Sequence, residues 1–282
     1  MKLDYHQHLE YGSYELDYAQ GFLETAKERG LVEIGFSEHT HTFVEFEHFY
    51  YDDLILDDSF IGSFQQKWLK KNKFKYTVDD YFAFMEACRE HFPVKTGIEV
   101  CNFQDQQAVG ELLGKYDFDY IIGSVHFLRG WAYDSSEIKA EWDRRDLRGI
   151  YEQYTEEAEA LCAAGHYDML GHPFNIRLYQ YFPDFDVTPY LQRVVEAMRR
   201  ADMVVDVNTG TLYRYPVKEI SPYGDFMRLA HEAGLPVTIN SDAHRPTDSG
   251  AYHDMAVEYV RDFGYTETVR FTKRKREIVP LS

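Results

Sequence analysis

At 282 residues the chain can bury a sizeable core without disulfides or a structural metal, and 44% hydrophobic with 16% aromatic residues excludes a disordered polymer. Its 48 acidic residues outnumber 30 basic ones, a formal charge of −18, which argues against nucleic acid as the partner because binding that backbone needs a basic face. Cys88, Cys101 and Cys162 make no CxxC pair, MKLDYHQHLE lacks the apolar run of a signal peptide, and no stretch approaches a membrane span, so the expectation is a cytoplasmic chain with neither a disulfide framework nor a membrane partner.

In chain order, a strand is predicted at Lys2–His6, then a helix over Tyr18–Arg29 stopped by Gly30, and a second strand at Val32–Ser37. His41–Lys75 breaks the rhythm: it is aromatic and acidic (FVEFEHFYYDDLILDD), then basic (KWLKKNKFK), and reads as an insertion or lid. A helix over Val78–His91 precedes strands at Val94–Val100 and Tyr120–Val125. Next come a helix over Asp146–Ala164 closed by Gly165, a strand at Met169–Gly171, and a helix over Thr188–Arg200. A strand at Met203–Asn208, a helix over Tyr223–Ala233 closed by Gly234, a strand at Val237–Asn240 and a helix over Ala251–Asp262 complete the alternation. The tail Thr272–Ser282, with TKRKRE, reads as solvated and basic. Strands alternating with helices imply parallel pairing. Seven units without a linker predict an α/β chain forming one closed or nearly closed barrel over residues 1–282, with a doubly wound open sheet as the alternative.

Six of the twelve histidines fall at or just beyond predicted strand C-termini: His6, His8, His39, His126, His172 and His244. Glu99 and Asp242 occupy similar places. In a parallel barrel these ends open on one face, so the groups converge there. His6 and His8 share one side of an extended segment, and Glu99 would be a costly lone carboxylate in an apolar strand unless a cation were near. Nitrogen and oxygen donors without thiolate suit zinc, manganese or iron, in more places than one ion needs. A water shared between two cations loses a proton near neutral pH and becomes a nucleophile, so phosphate-ester hydrolysis is the leading chemistry and amide or C–N hydrolysis the rival.

The segments DYHQH, GFSEHTH, GIEV, GSVHF, GHPFN and INSDAH, from Asp4 to His244, resemble in order and spacing the motifs of the PHP (polymerase and histidinol phosphatase) superfamily. GSVHFLRGWAYD and VDVNTG are similar to its histidinol-phosphatase branch. The resemblance implies a distorted (β/α)7 TIM-like barrel with two or three divalent ions, and hydrolysis of L-histidinol phosphate to L-histidinol and phosphate in histidine biosynthesis. It further implies a first metal site of His6, His8, Glu99 and Asp242, with Glu99 bridging to a second completed by His126 and His172. His39 and His244 resemble ligands of a third site. Many relatives supply one more ligand after the HxH motif; here Glu15 is the substitute, with Glu10 or no ligand as alternatives.

For the substrate, a small phosphate ester, Arg177 matches the branch's phosphate-binding arginine, and Arg214 and Arg245 are further candidates. Asp134 is a candidate for the substrate's amine, with a helix cap as the alternative reading. Asp242, His244 and Arg177 make up the expected catalytic set, with Asp242 passing a proton to the leaving oxygen or, as the alternative, a third metal binding that oxygen directly. His41 and His48 read as rim residues. The competing readings are a PHP phosphoesterase for another small ester, a nuclease, or a non-catalytic metal-binding scaffold.

Overall fold

Each of the seven predicted strands forms in the computed structural model, which describes residues 1–71 and 73–282. They are β1 (Leu3–Asp4), β2 (Glu33–His39), β3 (Val94–Cys101), β4 (Tyr120–Ser124), β7 (Met169–Leu170), β8 (Val204–Asn208) and β9 (Val237–Asn240). All are parallel, in the order β1-β2-β3-β4-β7-β8-β9. The short antiparallel pair β5 (Phe127–Leu128) and β6 (Trp131–Ala132) stands apart from that sheet. The sheet curls until its edges meet: Gln7 bridges Ala243, and the His8 amide donates to the Ala243 carbonyl at 2.7 Å. The result is a nearly closed, distorted barrel, not an open sheet.

Helices cover the outside because their apolar residues recur at helical spacing. Helix α7 (Thr188–Arg200) begins with Pro189 in its first turn and buries Leu191, Val194, Val195 and Met198 on one face. Helix α6 (Leu147–Ala164) starts at an Asp146 cap and stops at Gly165, whose φ of 74° suits glycine. Arg193 of α7 ties it to α6 through Glu152 and Glu159.

The lower end of the barrel, where the strands begin, holds a separate apolar plug. Leu3, Tyr5, Tyr120, Ile122, Met169 and Val204 pack with Val269, Phe271 and Val279. Gly35 and Gly97 make room for Tyr120: a Cβ on Gly97 would lie 2.2 Å from the tyrosine ring. Val279 corrects the expectation that the tail Thr272–Ser282 is merely solvated: its exposed basic residues flank a strand that packs into the plug. Residues Glu267–Thr272 (β10) and Lys275–Pro280 (β11) form an antiparallel hairpin across the barrel floor. Lys273 and Arg274 form its two-residue turn with φ of 50° and 63°. Three arginines of the hairpin make ion pairs with the barrel: Arg274 with Asp168 at 2.5 Å, Arg270 with Glu33 at 2.7 Å, and Arg276 with Asp202.

The segment after β2 carries helices α2 (Glu47–Asp53) and α3 (Phe60–Leu69). It returns beside its own start, where Phe43 bridges Tyr76 and the Phe74 amide donates to the His41 carbonyl at 2.8 Å. Tyr50, Phe64 and Trp68 from this segment border the cavity at the upper end of the barrel.

Candidate metal centre

Glu99 stands in β3, one residue pair across from His39 in the β2 ladder, and is 1% exposed. Its Oε1 lies 3.1 Å from His172 Nε2, 3.2 Å from His6 Nε2 and 3.5 Å from His126 Nε2. Its Oε2 lies 3.0 Å from His39 Nε2 and 3.6 Å from His8 Nε2. Five imidazoles from four strand ends therefore surround one carboxylate. Asp242 Oδ1 sits 3.3 Å from His8 Nε2, 3.9 Å from His6 Nε2 and 3.5 Å from His244 Nδ1. Burial alone would raise these carboxyls. The imidazoles around Glu99, and Arg214 with His6 beside Asp242, instead hold both well below the usual carboxylate range.

The backbone aims these groups. The His6–His8 segment is clamped between the Ser37 amide, which donates to the Gln7 carbonyl at 2.8 Å, and Ala243. His172 and Asp242 follow β7 and β9 with φ of 28° and 54°, left-handed values rare outside glycine and typical of functional turns. The His126 amide donates to Asn102 Oδ1 at 2.9 Å.

Asp206, buried in β8, was not singled out from sequence. Its Oδ2 lies 2.9 Å from His6 Nδ1 and accepts from the His172 amide at 2.9 Å, while Oδ1 accepts from Asn240 Nδ2 at 2.6 Å. A proton on His6 Nδ1 turns Nε2 toward Glu99 as a lone-pair donor, the arrangement that orients metal-ligating histidines. The signal was available: one acid inside the apolar run VVDVN.

Glu15 is corrected. It is exposed at the N-cap of helix α1 (Leu16–Glu28), where the chain has already turned away. Glu10, the alternative, lies at the cluster instead, with Oε1 3.4 Å from His244 Nε2 and Oε2 2.7 Å from His41 Nε2 and 3.9 Å from His39 Nδ1. His41, read as a rim residue, is buried against this carboxylate.

Arg177 is also corrected. Phe174 takes a left-handed φ of 58° and a tight turn over Asn175–Arg177 follows. The guanidinium makes a forked pair with Glu219 at 2.8–3.1 Å and stacks 4.0 Å over Tyr223, in a cleft that none of the clustered histidines lines. Arg214 instead reaches the cluster, 2.9 Å from Asp242 Oδ1. Arg245 is exposed, 5.7 Å over Tyr11, and does not line the cavity. Asp134 does line it, and burial pushes its carboxyl up to about 6.

That cavity, of about 680 Å³, opens from His39, His126 and Arg214 between aromatic walls that include Tyr50, Trp68, Tyr179 and Tyr215. Among the described residues, His6 Nε2, both ring nitrogens of His8, His39 Nδ1 and Glu99 Oε2 are buried without a hydrogen-bond partner. Such orphans are costly, and a divalent cation satisfies lone pairs and offsets the carboxylates together. The donor set therefore fits divalent metal ions, with ligand atoms within 4.8 Å of one another in groups such as His6–His8–Glu99, Glu99–His126–His172 and His8–His39–His244.

A model of the PHP domain matches residues 4–210. The chain belongs to the PHP domain family. Asp242 and His244 lie beyond that matched span, and β9 brings them to the PHP centre beside β1. This PHP chain is 35% identical over 205 residues to "Probable histidinol-phosphatase" of Deinococcus radiodurans, covering 70% of this chain and 76% of that protein. It is 23% identical over 275 residues to the protein of the same name from Schizosaccharomyces pombe, covering 91% and 86%. Its fold is similar to the crystal structure of histidinol phosphate phosphatase from Lactococcus lactis subsp. lactis, complexed with zinc, L-histidinol and phosphate, with a TM-score of 0.72, 20% identity and 98% of each chain covered.

Proposed function

We propose that this PHP chain hydrolyses L-histidinol phosphate to L-histidinol and phosphate. The observation that carries this reading is one cavity with a Glu99-centred imidazole cluster and Arg214 at one end and Asp134 at another part of its wall. The first suits a phosphate dianion and the second a cationic amine. The named histidinol-phosphatase relatives support the same substrate.

Two or three ions, zinc, manganese or iron, would be held by His6, His8, Glu99 and Asp242, by Glu99, His126 and His172, and by His39, His244 and Glu10. Bound there, divalent ions supply Lewis acidity, which makes water acidic near neutral pH and offsets phosphoryl charge. The remaining work falls to the chain. Arg214 exchanges part of its contact with Asp242 for the phosphoryl oxygens and orients them. Asp242 Oδ1 carries the contacts to His6, His8, His244 and Arg214, which leaves Oδ2 to take a proton from the attacking water and return it to the leaving oxygen. The aromatic walls exclude bulk water, and Asp134 binds the amine. The three buried free cysteines accord with a reducing, cytoplasmic setting.

The test is steady-state hydrolysis of L-histidinol phosphate against a panel of other small phosphate monoesters, with each metal in turn and with His126→Ala, Arg214→Ala and Arg177→Ala. The expected result is preference for histidinol phosphate, lost in the first variant, strongly reduced in the second and largely kept in the third. Equal weak turnover of all esters would reject the substrate, and no metal-dependent turnover would reject the phosphatase reading.

A further inference from the structure

The centre opens into a second cavity, of about 540 Å³. Tyr11, His39, His41, Trp68 and Arg214 line both, so part of the imidazole cluster and Arg214 form the wall between them. The outer walls differ in charge. The first cavity carries Asp134 and Glu137 with Lys139. The second carries Lys71, Lys73 and Lys75, from the return limb of the segment after β2.

These lysines are not on a loose tail. The Lys71 amide donates to the Trp68 carbonyl at 3.1 Å and the Lys75 amide to the Thr42 carbonyl at 2.9 Å. Lys73 lies 4.6 Å over the Trp68 ring with its side chain 15% exposed. The acids lining this cavity are Glu10 and Glu38, and both are engaged. Glu10 faces His41 and His244, while Glu38 accepts from the Leu9 amide and from the Thr42 hydroxyl at 3.2 Å. Lys73 finds Glu10 only at 3.9 Å, and among the described residues Lys71 and Lys75 have no carboxylate within 4.0 Å. A chain of charge −18 thus gathers three ammonium groups and Arg214 around one concavity that adjoins its phosphate-handling atoms. Like charges so placed repel one another unless an anion joins them, and together they attract one.

We propose that this basic cavity is an exit subsite for inorganic phosphate, holding the dianion after it leaves the centre and before it reaches solvent. The proposal rests on the phosphatase reading above. Because Lys71, Lys73 and Lys75 line only this second cavity, phosphate held by them slows release without excluding substrate. Product inhibition then has a noncompetitive part beside the competitive part from the centre.

The experiment is calorimetric titration of the metal-loaded protein with inorganic phosphate, alongside phosphate inhibition of ester hydrolysis. The wild type should show a second phosphate-binding event, which Lys71→Ala/Lys75→Ala weakens roughly tenfold. In that variant the noncompetitive inhibition constant should rise roughly tenfold, the scale for losing charged contacts to an anion, with kcat and KM unchanged when phosphate is absent. Lys71→Arg/Lys75→Arg should restore both. Identical titrations of wild type and alanine variant would overturn the proposal. So would a raised KM with an unchanged titration, which would assign the lysines to the ester's own phosphoryl group. If no ester is hydrolysed, the phosphatase reading fails, and the calorimetry still decides whether the basic cavity holds phosphate.

Discussion

The two ends of the barrel are built on opposite principles. At the floor, Phe271 sits between Tyr5 and Tyr120 with ring centroids 5.8 Å from each, and Arg270, Arg274 and Arg276 each meet a carboxylate. That end is complete as the chain folds. At the mouth, five imidazoles crowd one buried carboxylate and several of their nitrogens find no partner among the described residues. That end is complete only with cations. Stability and chemistry are thus separated along the strand axis, which lets the mouth carry unsatisfied groups that a core could not tolerate.

Disturbing the floor should unfold the chain without touching the metal. Phe271→Ala leaves a cavity in a side chain that is fully buried, and should cost about 3–5 kcal/mol in denaturant unfolding. Its metal content and turnover per folded molecule should stay at wild-type values.

A second floor residue sets an acid limit. His253 is 5% exposed and its Nε2 lies 3.1 Å from the Leu3 carbonyl. Burial pulls its pKa down to about 4, so the unfolded chain takes the proton first as pH falls. Its contribution is present above about pH 6.5 and is lost between there and pH 4, up to about 3 kcal/mol. His253→Gln keeps a donor and should flatten this loss. The difference in unfolding free energy between the two proteins from pH 7 to 4.5 isolates it from the clustered histidines, which both share; parallel curves would contradict it.

At the mouth, Asp206→Asn should act in the reverse sense. Removing the carboxylate that fixes His6 should weaken metal affinity by roughly 10–100-fold, the range for groups that orient ligands. Competition with a chelator measures it, and the fold should persist because Asn240 and Asn208 still surround the site.

The same division explains what the sequence revealed. Buried parallel strands read as apolar runs, so all seven were legible. Histidines and acids at their C-terminal ends were legible too, because strand polarity alone brings them to one face. What failed depended on turns. Left-handed residues at His172 and Phe174 rotate the chain, so that counting five residues onward lands Arg177 on Glu219. Glu15 was displaced by its position at the start of helix α1, on the exposed side, although His6, His8 and Glu10 already alternate at period two. The closing hairpin was masked by its basic turn: the alternation of Val269 and Phe271, answered by Val279, carried the strand signal.

Metal content per folded chain, measured by mass spectrometry on wild type, Glu99→Gln and Phe271→Ala, tests the separation of the two ends most directly. Two or three ions should remain in wild type and in the floor variant, while Glu99→Gln loses metal even where it stays folded. Equal metal in all three proteins, or loss in Phe271→Ala at full foldedness, would contradict it.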